Sequence, residues 1–283
     1  MNVDLPDWPR PHFQPGGGDA FVFFAVYGQF SANVQVSAET YRTAGVPEGF
    51  EVRKLNREQT PHFPFSASSI GELLQPKCPA RFAAIQEVPE CMLIQGVAAD
   101  PPNLNYLRDV IGLVQYFLDN GGVAAMDPQQ LRLHDAGCWR EEIFEPQPPE
   151  LMHHVTLLVS DSGAVGATRL GAENGRPRSL IRGSDAVAGK PASRLWIRTR
   201  GMRKFGRPDL SVRKVPCENE AAVIAMCQRL IRQQAGGALI AEGQEILADN
   251  LPRGLICHHT GSFEDPDFNN VHVELQWPGD SPA

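Results

Sequence analysis

The sequence predicts an α+β fold in which antiparallel-rich β-sheets carry helices on one face. Two observations support this prediction. Short runs with strand-like alternation outnumber the helical segments and stand in groups, whereas a parallel α/β fold would alternate strand and helix. Apolar residues within 104–118 and 223–231 recur every three or four positions, which is the period of an amphipathic helix.

The strand-like runs surround the two helices in a similar order. Two runs precede each helix, and a short apolar run, a polar turn and a second apolar run follow it. Further runs stand before the first of these groups and on either side of the second. The predicted strands with clear bounds are 20–27, 81–86, 91–97, 153–159, 194–200, 209–215 and 270–277.

Both helical segments contain Val-Ile and lead into a glycine pair, Gly121-Gly122 in the first and Gly236-Gly237 in the second. Glycine is favoured just past a helix because it adopts positive φ without a Cβ clash. The shared order predicts an internal duplication of a β-β-α-β-β unit. The alternative is a chance likeness between two αβ segments.

Composition divides the chain into four parts. Residues 1–19 are rich in proline and glycine and predict a flexible arm. Residues 160–193 are rich in glycine, serine and alanine and predict a loop or linker. We therefore expect an N-terminal α+β half at 20–159 and a C-terminal α+β half at 194–283, either as separate domains or as one continuous sheet.

Composition and motifs also disfavour several classes of protein. No apolar run approaches the roughly 20 residues that span a bilayer, and the first residues lack the apolar region of a secretory signal. The expectation is a cytoplasmic protein with reduced thiols and no membrane segment. The chain has no P-loop and no strand-linked G-x-G-x-x-G, and a pI near 5.6 makes nucleic acid an unlikely partner.

Positive charge is concentrated in one segment of this acidic chain. Residues 169–214 contain thirteen Lys or Arg and three acidic residues, a net charge of +10, so the rest of the chain must carry -17 to reach the total of -7. Strand alternation in the run 194–200 places Trp196, Arg198 and Arg200 on one face of the sheet. An indole flanked by two guanidinium groups suits a phosphate, a carboxylate or a base.

The basic segment therefore predicts an anion-binding site. Its candidate residues are Trp196, Arg198, Arg200, Arg203, Lys204 and Arg207. The predicted function is a binding protein of the immunity or regulatory type, which recognises a protein partner or a small anionic ligand. The alternative is that these cations lie on a solvated face and pair with acidic residues elsewhere in the fold.

Two stretches of the sequence carry a resemblance to known proteins. "TRGMRKFGRPDLSV" and "NGGVAAMDPQ" resemble a pattern in uncharacterised bacterial domain-of-unknown-function families, in which Gly-Met, Phe-Gly and Pro-Asp pairs join two strands ahead of a helix. The specific matches are Gly201, Met202, Phe205, Gly206, Pro208 and Asp209. The resemblance implies a bacterial origin and the α+β architecture. It implies no mechanism, because these families have no assigned activity.

A second region, 254–277, predicts a β-hairpin with clustered polar side chains. If its strands pair around "GSFEDPDF", His258 lies across from His272, with Glu274 nearby. Two imidazoles and a carboxylate are ligands that zinc accepts, so zinc is the one cofactor that the sequence suggests, although a solvent-facing histidine pair is the simpler interpretation. The acidic turn within this region is a weaker candidate for binding a cation.

The remaining candidate chemistry is a thiol nucleophile. His134, Asp135 and Cys138 stand close together in the sequence, which is compatible with a hydrolase-type enzyme built on a histidine or cysteine site. No family signature surrounds Cys138. The sequence therefore favours a binding protein and keeps the enzyme as the alternative.

Overall fold

The computed structural model describes residues 4–31, 35–60, 63, 74–75, 77–162, 168–170 and 194–278. The chain forms two compact units. The first comprises residues 1–150 and the three residues 204–206, and the second comprises residues 151–203 and 207–283. The α+β class predicted from the sequence is confirmed. Most of the predicted linker at 160–193 lies outside the described residues.

The first unit is built on a five-stranded antiparallel sheet with the order β2-β3-β1-β4-β5. Its strands are β1 (Ala20–Gly28), β2 (Phe50–Asn56), β3 (Glu90–Ala98), β4 (Gly122–Asp127) and β5 (Arg132–Asp135), and its helices are α1 (Ala38–Tyr41), α2 (Pro79–Glu87), α3 (Asn105–Asp119) and α4 (Ala136–Trp139). The run "AFVFFAVYG" forms the central strand β1, which is paired on both edges and is mostly buried.

The helix α2 corrects one of the predicted strands. The run 81–86 was expected to be extended, but it lies within a helix that begins at Pro79. Proline is favoured in the first turn of a helix, and the adjacent pair Ala83-Ala84 favours helix over strand. Phe82 and Ile85, three residues apart on one helical face, pack with Tyr27 in the core on that side of the sheet.

The other face of the first sheet packs against α3, so this sheet has helices on both faces and not on one face as the sequence predicted. Val26 points away from Tyr27 along β1, and its side chain lies beside Gly122, the first residue of β4, next to Leu118 at the end of α3. The helix ends as expected at the glycine pair, where Gly121 has a φ of 109°. At the N-terminal end of the chain, Trp8 and Arg10 of the predicted arm are buried in this unit, and Trp8 accepts a backbone hydrogen bond from Leu104.

The second unit is built on a seven-stranded sheet with the order β10-β11-β12-β9-β8-β6-β7. Its strands are β6 (Thr156–Asp161), β7 (Thr168–Leu170), β8 (Arg194–Arg200), β9 (Asp209–Pro216), β10 (Glu245–Ile246), β11 (Leu255–Ser262) and β12 (Asn270–Gln276), and its helix is α5 (Glu220–Ala235). All described strand pairs in it are antiparallel except β9 with β12. The predicted hairpin is therefore confirmed as β11 and β12.

The two faces of the second sheet differ in polarity. One face presents fully buried apolar residues such as Ile197, Leu210 and Val212, and it packs against α5. The side chains that alternate with them on β8 and β9 are polar or aromatic. This second, polar face is the feature that gives the unit its candidate site.

The predicted internal duplication is not confirmed, because the two sheets are connected differently. In the first unit the strand after the long helix, β4, pairs with β1. In the second unit, β12 follows the long helix and returns to the middle of the sheet. It pairs directly with β9, the strand that precedes that helix.

Candidate functional site

The basic segment folds as a strand, a turn and a second strand, which agrees with the predicted bounds. Arg198 and Arg200 lie on β8, a 3₁₀ turn follows at Met202–Phe205, and β9 begins at Asp209. Gly201 and Gly206 both have positive φ, the conformation that glycine adopts most readily. The turn does not place all six predicted anion-binding residues in one site.

Lys204 belongs to the first unit, where it is completely buried. Its Nζ lies 2.5 Å from Oδ2 of Asp127, which is also buried. The same carboxylate accepts hydrogen bonds from the backbone N–H groups of Gln129 and Gln130. A lysine with these partners holds the fold together and is not available to an external anion.

Arg207 also bonds to groups within the fold. Its guanidinium donates to the carbonyl oxygens of Gly237 at 2.8 Å and Ala238 at 3.2 Å, just beyond the C-terminus of α5. A cation at this position satisfies carbonyl groups of the segment that follows the helix and complements the helix dipole. Lys204 and Arg207 therefore have different partners from the arginines of β8.

Asp209 connects three segments of the second unit. Its carboxylate accepts hydrogen bonds from the Thr199 hydroxyl at 2.8 Å, the Asn270 amide at 2.8 Å and the Met202 backbone N–H at 3.3 Å. Burial raises its pKa to about 6, although these hydrogen bonds act in the opposite direction. The sequence-based interpretation of Asp209 as a hydrogen-bonding residue of the turn agrees with this geometry.

Trp196 is the centre of the polar face. The guanidinium carbons of Arg198 and Arg213 lie 3.8 Å and 4.0 Å from the centroid of its ring. The pairing of β8 with β9 shifts register at this point, so that Trp196 stands opposite both Arg213 and Lys214. Such a bulge redirects side chains and is common beside functional sites. Here it accompanies the stacking of Arg213 on the indole.

A chain of polar contacts links this stack to β12. The Trp196 indole N–H donates to the Ser211 hydroxyl at 2.9 Å, and Ser211 in turn hydrogen-bonds to Glu274. The Arg213 Nε lies 3.7 Å from the Glu274 carboxylate. Burial raises the pKa of Glu274, while Ser211 and Arg213 lower it. We call Trp196, Arg198, Arg200, Ser211, Arg213, His272 and Glu274 the polar face.

The polar face contains buried nitrogen atoms that lack partners within the described part of the chain. Among them are Nε of Arg198 and Nδ1 of His272, and both residues are only 6% exposed. A buried donor or acceptor without a partner costs about 1 to 3 kcal/mol. Burial also lowers the pKa of both side chains. These atoms mark positions where the hydrogen-bonding capacity of the face is incompletely used.

The loop between β11 and β12 lies over the polar face. We call residues 263–269 the acidic loop. Its Asp267 carboxylate lies 3.3 Å from Arg198, and the carbonyl oxygens of Pro266 and Asp267 accept hydrogen bonds from Arg200 at 3.0 Å and 2.9 Å. Phe268 stacks on the His272 ring with centroids 4.0 Å apart and meets Trp196 edge-on.

Arg203 contacts the outer part of this loop. Its guanidinium carbon lies 4.4 Å from the Phe263 ring centroid, and it donates to the Asn269 carbonyl oxygen. Burial lowers the pKa of Arg203, and the charge of Glu264 opposes this shift. Arg203 is therefore next to the predicted site but is held against the loop.

Two of the three proposed zinc ligands come close together, because Nε2 of His272 lies 4.0 Å from Oε2 of Glu274. The register of the hairpin places His258 opposite Glu274 and Thr260 opposite His272, two residues from the expected pairing. His258 is exposed and its Nδ1 lies 2.9 Å from Glu242. Among the described residues, no group of three His, Cys, Asp or Glu side chains is placed to hold a metal ion.

The environment of Cys138 does not favour a nucleophile. Asp135 caps the short helix α4 by accepting the Cys138 backbone N–H, and Arg81 contacts both the Asp135 carboxylate and the Cys138 sulfur. Burial raises the pKa of the thiol, which reduces its thiolate fraction. His134 is buried against Trp139, and burial lowers its pKa to about 3.

Sequence reasoning missed Arg213, Ser211 and the covering role of the acidic loop. The alternation of Ser211 and Arg213 along β9 was readable in the sequence, but the bulge that places Arg213 over Trp196 was not. The acidic residues of the loop suggested only a cation site. Their charge complementarity with the basic segment was the available signal.

Comparisons with known proteins found no match in protein-family models, among curated proteins or among solved structures. The resemblance to uncharacterised bacterial families therefore stays a prediction. Within the described ranges, the helices are too short or too polar for any of them to cross a bilayer.

Proposed function

We propose that this protein is a binding protein whose second unit recognises an acidic segment of a protein partner through the polar face. The observation that carries the proposal is the stack of Arg198 and Arg213 on Trp196, next to buried nitrogen atoms without partners. Tryptophan and arginine are the side chains most enriched where protein interfaces gain their affinity.

The nature of the groups already held by this face supports a peptide ligand. Arg198 and Arg200 hold one carboxylate and two backbone carbonyl groups, all supplied by the acidic loop. A partner segment with carboxylates and carbonyls offers the same acceptors. Arg213 is more than half exposed, so it provides the accessible cation for a first contact with such a segment.

The test is a calorimetric titration with a synthetic peptide that has the sequence of residues 262–270 and thus the acceptor groups of the acidic loop. Arg213→Gln is expected to weaken binding about fivefold, because the variant loses an interfacial cation worth about 1 kcal/mol. The matched control is Arg232→Gln, which removes the same charge from the exposed side of α5.

Equal effects of the two substitutions would contradict the proposal, because they would reflect net charge alone. Binding of inorganic phosphate in the absence of peptide binding would also contradict it and would favour a small-anion site. No constellation among the described residues gives comparable support to the hydrolase alternative.

A further inference from the structure

The acidic loop resembles a bound ligand in its contacts with the polar face. Three of its residues are acidic, and each acts on a cationic or titratable side chain beneath it: Asp267 and Asp265 on Arg198 and His272, and Glu264 on Arg203. The Asp267 carboxylate, however, remains about half exposed. The loop therefore neutralises part of the positive charge of the face but does not cover the face completely.

The loop has one buried side chain, although several polar contacts also hold it to the face. Phe268 is its buried anchor, whereas Phe263, Glu264, Pro266 and Asn269 are exposed. Within the loop, the backbone N–H groups of Phe268 and Asn269 both donate to the Asp265 carbonyl oxygen. A surface loop with one apolar anchor can open at a modest fraction of the global unfolding free energy.

We propose that the acidic loop is an intramolecular competitor that occupies the polar face and is displaced when an acidic segment with an aromatic residue binds there. This inference rests on the proposed function of the same face. The partner segment would supply a carboxylate for Arg198, carbonyl groups for Arg200 and an aromatic ring for the position of Phe268. The closed loop lowers the apparent affinity for the partner segment, because only the molecules with an open loop can bind it.

Variants of the full chain that loosen the loop without changing its charge test this inference. Phe268→Ala keeps every charged group and removes the anchor. The 262–270 peptide is therefore expected to bind this variant about tenfold more tightly than it binds the native chain. Phe263→Ala is the matched control, because it truncates an exposed phenylalanine in the same loop and leaves the anchor in place. It is expected to leave the affinity unchanged within about twofold.

A second variant guards against misfolding of Phe268→Ala. Asp267→Asn removes the carboxylate contact with Arg198 and retains the anchor, and it is also expected to raise the affinity for the peptide. Circular dichroism establishes that each variant is folded. A peptide in which the acids are replaced by their amides serves as the ligand control and is expected to bind weakly to every variant.

Hydrogen exchange reports displacement directly. Addition of the peptide to the native chain is expected to accelerate exchange of the Phe268 amide, because Phe268 is buried against His272 and Trp196 and becomes accessible to solvent when the loop leaves the face. Peptide binding with unchanged exchange, and with equal affinity for the native chain and the loosened variants, would overturn the inference and leave the proposed function standing. Absence of peptide binding to the native chain and to every variant would overturn both.

Discussion

The buried carboxyl group of Asp209 illustrates how a single residue of the basic segment holds the second unit together. It accepts hydrogen bonds from the end of β8, from the turn and from the start of β12. Its burial raises its pKa to about 6, whereas the ordinary value in an unfolded chain is 3.8. Between these two values the folded chain binds this proton more tightly than the unfolded chain does.

Asp209 therefore makes stability depend on pH. As the pH rises through this window, the unfolded state loses its proton first, so the contribution of Asp209 to the free energy of unfolding falls. The difference in this free energy between the native chain and Asp209→Asn is expected to fall by about 3 kcal/mol from about pH 4 to about pH 6 and then to stay constant. Denaturant titrations at each pH measure it. A difference that rises over this range would refute the assignment.

Lys204 shows why residue type alone did not define the predicted site. Its charge and its neighbours in the sequence suggested an anion ligand, but its partner Asp127 stands 77 positions earlier in the chain. One sequence gives no signal for such a distant pair. The six predicted residues thus include three arginine or tryptophan side chains of the polar face together with cations that have structural partners.

Lys204→Met is expected to reduce the free energy of unfolding of the first unit by about 3 to 5 kcal/mol, because it leaves a buried carboxylate without its cation. The comparison is Lys54→Met, which removes an ion pair with Glu90 of the same 2.5 Å length at a partly exposed site and is expected to cost less than about 1 kcal/mol. Denaturant unfolding measures both. Similar losses for the two variants would contradict a special role for the buried pair.

At the scale of secondary-structure elements, the helix α3 shows where sequence patterns succeed and where they fail. The apolar period predicted its position, and the glycine pair predicted its end. The pattern did not predict that Arg108 and Asp109 are also buried, because they bond to Pro6 and Ala44 of other segments. The wrong strand at 81–86 has a different cause, because a short apolar run fits both the helical and the strand period.

Gly112 in the middle of α3 gives a test of this packing. A Cβ there would overlap the Tyr41 carbonyl oxygen and would lie 2.9 Å from the Thr43 Cβ. Gly112→Ala is therefore expected to destabilise the first unit by about 2 kcal/mol, although alanine in an open helix would stabilise by about 1 kcal/mol. Gly137→Ala in α4 is the control, because its closest contact is an ordinary 3.4 Å. Thermal unfolding distinguishes the two, and a more stable Gly112→Ala variant would refute the close approach.

At the scale of the whole molecule, the order and period of the apolar runs predicted the α+β class, and the distribution of Lys and Arg predicted the concentration of positive charge. It did not predict how that charge is used. Arg207 satisfies carbonyls at a helix end, Lys204 neutralises a buried acid, and Arg198 and Arg200 meet the acidic loop. Residues 171–193 of the positive segment lie outside the described residues. The predicted duplication relied on local order, whereas strand pairing is decided by packing over long sequence separations.

The most direct test of the central claim is a nuclear magnetic resonance titration of the full chain with the acidic 262–270 peptide. The readout is the set of tryptophan indole N–H resonances, of which Trp196 is assigned with a Trp196→Phe variant. If the polar face binds the peptide, the Trp196 resonance shifts saturably, because its N–H is bonded to Ser211 beneath the arginine stack. A saturable response confined to the other three tryptophans, or none at any of the four, would contradict the account.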